Sequence, residues 1–249
     1  MSEHRYQEIL TRLRDNGRVA VTPLAKLLSV SEETIRRDLK ELEQSGMLRR
    51  IYGGAVPPRL DVERPVTERG KVNVRGKARV AELALALVED GMSVFIDSGT
   101  TTVAFARRLI GRNVTVTTNS IDIALLLGTS VTRVNLTPGM LRGKDNALVG
   151  YETLSYARRF FYDAAFMGIA ACDLKHGWMD YEEHESNLRG VLKLQTRLSV
   201  ILADIDKFGR EAYLNTFPIT EKVTVVCDRA PPAPFKEIFA EHDIEIIHP

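Results

Sequence analysis

The sequence predicts an α/β protein in two parts, a small helical domain with a β-hairpin and a larger, Rossmann-like, mainly parallel α/β domain. Two observations support this prediction. The first fifty-six residues contain three stretches of helical periodicity and end in a glycine-containing hairpin. From residue 77 onward, apolar strand-like runs alternate with helical ones, which indicates a parallel sheet covered on both faces.

Length and composition agree with two domains of ordinary size. The chain has 249 residues, of which 44% are hydrophobic and 27% charged, as in a globular protein with a sizeable core. We place the first domain at 1–56, a connector at 57–76 and the second domain at 77–249. The connector is charged and poor in core residues, and it contains Pro57, Pro58 and Pro65, which is typical of a linker.

The composition also limits the compartment and the partners. The start, MSEHRYQEIL, has no apolar run of the kind a signal peptide needs, and no stretch is apolar enough for a membrane helix. Cys172 and Cys227 fit neither a disulfide framework nor zinc-ligand spacing. We therefore expect a cytoplasmic protein with no metal, no cofactor and no membrane partner. The formal net charge is only +1, so affinity for nucleic acid must come from the placement of basic residues.

The first two helices of the small domain are delimited by their end signals. The first is predicted to end at Asn16-Gly17. Thr22 is predicted to cap the second helix, with Pro23 at its first position. The residues expected to face inward on that helix are Leu24, Leu27 and Leu28.

The third helix has two distinct faces. It is predicted to begin after a Ser31 cap, to end at Gly46 and to bury Ile35, Leu39 and Leu42. Residues three and four apart share a helix face, so a polar set must point outward. That set is Glu33, Thr34, Arg36, Arg37 and Lys40.

Leu48–Val56 is predicted to form a strand, a turn at Gly53-Gly54 and a return strand. Two helices followed by this hairpin have the outline of a winged helix-turn-helix, which places one helix in the major groove of DNA. An arginine pair alone more often marks a solvated helix face, but the capped helices before it and the hairpin after it favour DNA binding. The predicted DNA-binding residues are Ser31, Glu33, Thr34, Arg36, Arg37, Lys40, Arg49, Arg50 and Tyr52.

The DNA-binding residues are expected to have different roles. Thr34 and Arg37 lie near the N-terminal end of the helix, within reach of base edges, while Arg36 and Lys40 could reach phosphates. Arg49 and Arg50 of the hairpin are expected to contact the DNA backbone.

Polar residues follow the predicted strands of the second domain. Asp97–Thr101 follows SVFI, Asn119 follows VTVTT, and Asp204 with Lys207 follows SVILA. Ligands of parallel sheets bind beyond the carboxyl ends of the strands, and hydroxyl and N–H donors near a helix N-terminus suit a phosphate. Each feature alone also fits a helix cap or a surface ion pair. Their shared location favours a pocket for a phosphate and a polyol.

The run SVSEETIRRDLKELEQSGMLRRIYGGAV, residues 29–56, closely resembles the N-terminal signature of the DeoR family of bacterial sugar-metabolism regulators. The resemblance continues through DSGTT at 97–101, TTNS at 117–120 and ADIDKFGR at 203–210. It implies a repressor of a carbohydrate operon whose second domain resembles a sugar-phosphate isomerase but senses a phosphorylated sugar or related metabolite. It also implies a homo-oligomer, either a dimer or a tetramer, that binds operator DNA.

The resemblance also assigns residues to the effector pocket. With Asp173, which follows AAFMGIA, the full expected set is Asp97, Ser98, Gly99, Thr100, Thr101, Asn119, Gly139, Asp173, Glu185, Arg189 and Lys207. Relatives have a second glycine where this chain has Met140, and a lysine where it has Arg189. Trp178 and Met179 are bulkier than the family's small residues. We therefore expect an effector of unusual size or shape.

Two other functions stay open at this point. One is a sugar-phosphate isomerase with an appended DNA-binding module, for which Glu185, Asp173, Asp204 and Lys207 could supply acid–base chemistry. Against it, 185–193 contains no glycine-rich loop to hold an enediolate, and no Walker, dinucleotide or nucleophile-elbow motif is present. We therefore predict no catalytic residues. The other is an activator, or a regulator that responds to a protein.

Overall fold

The computed structural model of the protein describes residues 2–60 and 62–249. The chain forms two compact units that divide between Val62 and Glu63. Within the described residues, no helix is both long enough and apolar enough to span a lipid bilayer.

The first unit is a three-helix domain with a small antiparallel sheet. Its elements are α1 Ser2–Asn16, β1 Val19–Ala20, α2 Val21–Leu27, α3 Glu32–Gln44, β2 Arg49–Ile51 and β3 Gly54–Val56. Residues from all three helices, among them Ile9, Leu24 and Leu39, meet in one buried cluster. Strand β3 pairs with both β1 and β2, so the hairpin is fixed to the body of the domain. This confirms the predicted winged helix-turn-helix.

The start of α2 differs from the prediction. The helix begins at Val21, and Thr22 does not cap it. Ala20 is still extended because it pairs with β3, so the strand leads directly into the helix. Pro23 then lies in the first turn, whose N–H groups lack helical partners in any case. The Thr22 hydroxyl instead donates to an acidic side chain of α3 (2.6 Å), and Leu27, predicted to face inward, is 49% exposed.

The second unit is built on a seven-stranded parallel sheet. Its elements are α4 Val66–Arg69, α5 Val74–Leu85, β4 Ser93–Ile96, α6 Thr100–Ala106, β5 Thr115–Thr118, α7 Ile121–Leu127, β6 Arg133–Leu136, β7 Met140–Arg142, β8 Ala147–Val149, α8 Tyr151–Ala157, β9 Tyr162–Met167, β10 Ala171–Asp173, β11 Gly177–Asp180, α9 Glu183–Leu194, β12 Thr196–Leu202, β13 Leu214–Phe217, β14 Thr224–Val226, α10 Ala233–Glu241 and β15 Ile246–Ile247. The strand order is β15-β14-β12-β9-β4-β5-β6, and every neighbouring pair is parallel. This confirms the predicted α/β class.

Helices cover both faces of the sheet. Val94 and Ile96 of β4 belong to a buried cluster with residues of α5, α6 and α7. Phe95 points the other way, into a cluster with residues of α8 and α9. This alternation is what a strand buried on both faces requires.

The predicted connector, 57–76, is not uniform. Residues 57–60 and 62–65 contain neither helix nor strand. From Glu63 onward the chain belongs to the second unit, where α4 and the first residues of α5 lie within the stretch predicted as connector.

Candidate functional site

The third helix presents its polar face outward because its apolar residues are buried. Ile35 and Leu39 are 0% and 2% exposed. The helix begins where the backbone N–H of Thr34 donates to Ser31 Oγ (3.1 Å), which confirms the predicted cap. The Ser31 hydroxyl is thus engaged in capping, and it also lies 2.9 Å from Thr34 Oγ1.

The exposed cations of α3 differ in their partners. Arg36 contacts Glu32 (2.7 Å) and Glu33 (3.5 Å) on its own helix. Arg37 and Lys40 are exposed, and in the described part of the chain neither makes an ion pair or a side-chain hydrogen bond. These two cations can therefore meet a DNA phosphate or base without first breaking a contact.

The hairpin β2–β3 carries the remaining predicted DNA-binding residues. Tyr52 lies at the turn and its side chain is fully exposed, and Arg49 is exposed as well. Arg50 is held differently: its backbone N–H donates to Glu43 Oε1 (2.8 Å), and its guanidinium lies 3.9 Å from the same carboxylate. This contact fixes the base of the hairpin against α3.

Sequence reasoning missed one buried ion pair in this unit. Asp38 is on the inner side of α3, only 1% exposed, and accepts hydrogen bonds from Arg5 of α1. The acidic residue would have stood out as the one charge on the predicted buried face, but its partner is distant in sequence. The pair ties the orientation of α3 to α1.

A small, partly open cavity lies at the carboxyl ends of the central strands in the second unit. Strand β4 lies inside the sheet. The next strands in sequence, β5 and β6, lie on one side of it, and the later strands β9, β12, β14 and β15 lie on the other. The gap between β4 and β9 is therefore the topological switch point, where α/β folds bind ligands. The predicted residues that line the cavity are Ser98, Gly99, Thr100, Thr101, Glu185, Arg189 and Lys207.

The loop after β4 is held by buried polar contacts. Asp97 is 0% exposed and accepts hydrogen bonds from Ser98 N–H (2.7 Å) and Arg189 Nε (2.7 Å). Asn119, after β5, accepts a second bond from Ser98 N–H (3.0 Å). Gly99 has a φ of +148°, a conformation that favours glycine. Asp97 and Asn119 therefore shape the loop from behind the cavity wall, while the Ser98 hydroxyl is buried with no partner among the described residues.

Arg189 is enclosed by carboxylates. Its guanidinium contacts Asp97, Asp180 and Glu185, the last at 3.7 Å. Burial raises the pKa of Asp97 to about 6, even though Arg189 lowers it. The positive charge of this arginine is thus balanced within the protein.

A second arginine extends this network. Arg142, from β7, contacts Asp145 (2.8 Å) and Glu185. Burial alone would raise the pKa of Glu185, but Arg189 and Arg142 outweigh burial and lower it. Glu185 is therefore an ionised anchor and a poor general base, which weighs against the isomerase alternative.

Lys207 differs from both arginines. It lines the cavity, and across the described residues its ammonium has no hydrogen-bond or ion-pair partner. Burial lowers its pKa. Among the cavity residues this leaves Lys207 as a cation whose charge is available to a ligand.

Several predicted pocket residues do not line the cavity. Asp173 lies in β10 and accepts hydrogen bonds from the N–H groups of Lys175 and His176 (both 2.9 Å). The strand predicted as AAFMGIA ends at Met167, and the chain then enters the separate antiparallel sheet β10–β11–β13. A Cβ on Gly139 would lie 2.3 Å from Thr153 Oγ1, so that glycine is required by packing.

The expectation of an effector of unusual size or shape rested on four residues, of which Arg189 lines the cavity and the other three do not. Trp178 is fully buried and stacks on Phe239 (5.9 Å between ring centroids), in the core beside α10. Met179 is buried in a separate apolar cluster. Met140 is 63% exposed. None of the three lines the cavity.

The structure adds lining residues that sequence reasoning did not find. They come from the connector, from the β7–β8 hairpin, from the loop after β9 and from β11: Glu63, Arg69, Asp145, Gly168, Ile169, Ala170 and Asp180. For Glu63 and Arg69, the only available sequence signal was the charged stretch ERPVTER in the connector.

Two family models match this chain. Residues 5–59 match the DeoR-like helix-turn-helix domain, and residues 72–229 match the DeoR C-terminal sensor domain. Together these matches cover the α3–hairpin surface and most of the unit that contains the cavity.

Similar proteins extend along the whole chain. The glycerol-3-phosphate regulon repressor of Escherichia coli K12 is 30% identical over 97% of both chains. The HTH-type transcriptional regulator GlpR of Haloferax volcanii is 33% identical over 87% of this chain and 86% of its own. Among solved structures, ribose 5-phosphate isomerase A of Methanocaldococcus jannaschii aligns over 55% of each chain, with a TM-score of 0.41 and 19% identity.

Proposed function

Because the chain belongs to the DeoR family, it is a DNA-binding transcription regulator and not an enzyme, and we propose how its two units divide this function. In the first unit, α3 enters the major groove and the hairpin lies along the DNA backbone. Arg37 and Thr34 contact base edges, while Lys40, Arg49 and Tyr52 contact the sugar-phosphate backbone. The exposed, unpaired state of Arg37 and Lys40 supports these roles.

The second unit is proposed to bind a phosphorylated sugar or polyol in the cavity at the switch point. The supporting observation is Lys207, a cavity ammonium without a partner among the described residues, which lines the same cavity as Ser98, whose hydroxyl is also unpartnered. A phosphate would take this charge, and the carboxylates around Arg189 would accept hydrogen bonds from ligand hydroxyls. The name of the E. coli relative makes glycerol 3-phosphate the first compound to test.

The regulator is proposed to repress a carbohydrate-utilisation operon in the cytoplasm, as a homodimer or homotetramer. A single DNA-binding domain offers too little contact for tight specific binding, and a dimer would place two copies of α3 about 34–36 Å apart. Exposed apolar side chains such as Leu125, Leu141 and Tyr151 give the second unit surface for assembly. The buried free thiols Cys172 and Cys227 suit a reducing compartment.

A thermal-shift screen tests the cavity directly. Phosphorylated C3 to C6 sugars and polyols are added to the full chain, and unfolding is followed by fluorescence of the single tryptophan. A ligand at a hundred times its Kd should stabilise the second unit by about 2.7 kcal/mol. Lys207→Met should abolish the shift, whereas Lys222→Met, an exposed lysine outside the cavity lining, should retain it. An undiminished shift in Lys207→Met would move the binding site elsewhere.

A further inference from the structure

Glu63, the first residue of the second unit, forms an ion pair with Arg69, one of the cations of the cavity. The Glu63 carboxylate lies 2.8 Å from Arg69 Nη1, and the two side chains are only 7% and 20% exposed. Both residues line the cavity. Glu63 is seven positions after Val56, the last residue of the hairpin strand β3.

The two partners are held unequally. Arg69 ends the helix α4, and its carbonyl accepts a hydrogen bond from the buried Lys77 ammonium. Glu63 lies in a stretch, 62–65, that has neither helix nor strand. The arginine is therefore a fixed part of the cavity, and the glutamate is the side that can leave.

Charge balance in the cavity favours displacement of that glutamate. The lining contains three cations, Arg69, Arg189 and Lys207, against four carboxylates, those of Glu63, Asp145, Asp180 and Glu185. Arg142, outside the lining, contacts Asp145 and Glu185, so the charges are close to balanced, and a phosphate dianion entering this set adds two negative charges. Arg189 is enclosed by carboxylates on its own side of the cavity. Arg69 is bound to a carboxylate from the chain segment that can move, so the pair with Glu63 is the contact a ligand can replace at the lowest cost.

We propose that Glu63 is an internal competitor for the anionic group of the effector at Arg69, and that its release carries the effector signal into the segment joining the two units. This inference rests on the proposed function of the cavity. The phosphate would lie between Arg69 and Lys207, and Glu63 would be expelled with residues 62–65. Burial raises the pKa of Glu63, because the ionised carboxylate is costly to keep away from water. The displaced segment is the one through which the chain enters the second unit after β3.

Calorimetric binding of glycerol 3-phosphate and of inorganic phosphate to the full-length protein tests the competition. Glu63→Gln keeps the shape of the side chain and removes its charge, so it should bind the anion at least about fivefold more tightly than the wild type, the lower end of usual coupling factors. Glu68→Gln is the matched control, since Glu68 is exposed and outside the cavity lining, and it should bind as the wild type does. The glutamine amide of Glu63→Gln could still accept a hydrogen bond from Arg69. Glu63→Ala removes this contact as well, so its anion affinity should also exceed that of the wild type.

Hydrogen exchange tests the displacement without any variant. The N–H groups of Glu68 and Arg69 donate to the Pro65 carbonyl (both 3.0 Å), so in the wild type saturating ligand should accelerate their exchange while it slows exchange in the loop at 98–101. In Glu63→Gln, exchange of these two amides should already be faster without ligand. Slower or unchanged exchange of these two amides in the wild type on binding would overturn the proposal.

The outcomes separate this inference from the proposed function. Binding that depends on Lys207, together with equal affinities of wild type and Glu63→Gln and Glu63→Ala, would end the role of Glu63 and leave the cavity as the effector site. Failure of the wild type to bind any phosphorylated compound of the screen would end both.

Discussion

The two units of this protein place their cations in opposite ways. In the first unit Arg37, Lys40 and Arg49 are exposed, and none has an ion-pair partner in the described residues. In the second unit the side chains of Arg189 and Arg142 are 4% and 11% exposed, and each contacts several carboxylates. Exposed cations without a partner remain solvated and are available to a polyanion such as DNA. Arg189 and Arg142 are balanced within the protein because an unpaired buried charge is costly, whereas Lys207 has no partner among the described residues and burial lowers its pKa.

This comparison predicts very different costs for removing an arginine from each unit. Arg189→Met would leave Asp97, Asp180 and Glu185 buried without their cation, and should lower the free energy of unfolding by about 3–5 kcal/mol. Arg36→Met removes an exposed pair with Glu32 and should cost less than about 1 kcal/mol.

Urea unfolding followed by circular dichroism measures both variants, and Trp178 emission isolates the second unit. A loss below about 1 kcal/mol for Arg189→Met would mean that the buried network relaxes without its centre.

A smaller effect is expected from pH. The pKa of Asp97 is raised to about 6 in the folded protein, against about 3.9 in an unfolded chain. As pH falls through 6 the folded state takes up a proton before the unfolded state does, so this group favours folding more at pH 5 than at pH 7.5. Between pH 7.5 and pH 5, the free energy of unfolding of the wild type should therefore increase by about 1.4 kcal/mol relative to that of Asp97→Asn.

Urea titrations of both proteins at the two pH values provide the test. A difference between wild type and Asp97→Asn that stays constant with pH, or that grows as pH rises, would contradict the raised pKa.

The exposed polar face of α3 was predictable from the sequence because it follows from periodicity. Once Ile35, Leu39 and Leu42 are assigned to the core, helical geometry alone places Arg37 and Lys40 outside. The loop at 98–101 was predictable for a similar reason, since alternating strands and helices determine where strand ends meet.

The buried network was not predictable in this way. Arg189 pairs with Asp97, 92 positions away, and Arg142 with Glu185, 43 positions away. No local pattern marks such partners, because their proximity results from the tertiary fold. Glu63 was missed because the predicted connector was treated as separate from the cavity.

Two errors came from strand boundaries and side-chain direction. Asp173 was placed at the cavity because the strand β9 was extended past Met167, although Gly168 and the residues after it lead to another sheet. Trp178 was expected to affect the effector because the family resemblance places small residues at that position, whereas its ring lies in the core against Phe208 and Phe239. Local sequence does not show which face of a short strand is buried against a helix.

The most direct test of the account is the affinity of Arg37→Ala for DNA, measured by fluorescence anisotropy on an operator selected from random sequences and on a scrambled fragment. The free guanidinium of Arg37 on the outer face of α3 predicts a loss of about 1–3 kcal/mol on the operator and little change on the scrambled fragment. Arg49→Ala, a backbone contact, should weaken both fragments alike and flatten their salt dependence. Equal losses on both fragments for Arg37→Ala, or none on either, would contradict the claim that this face of the helix contacts the bases.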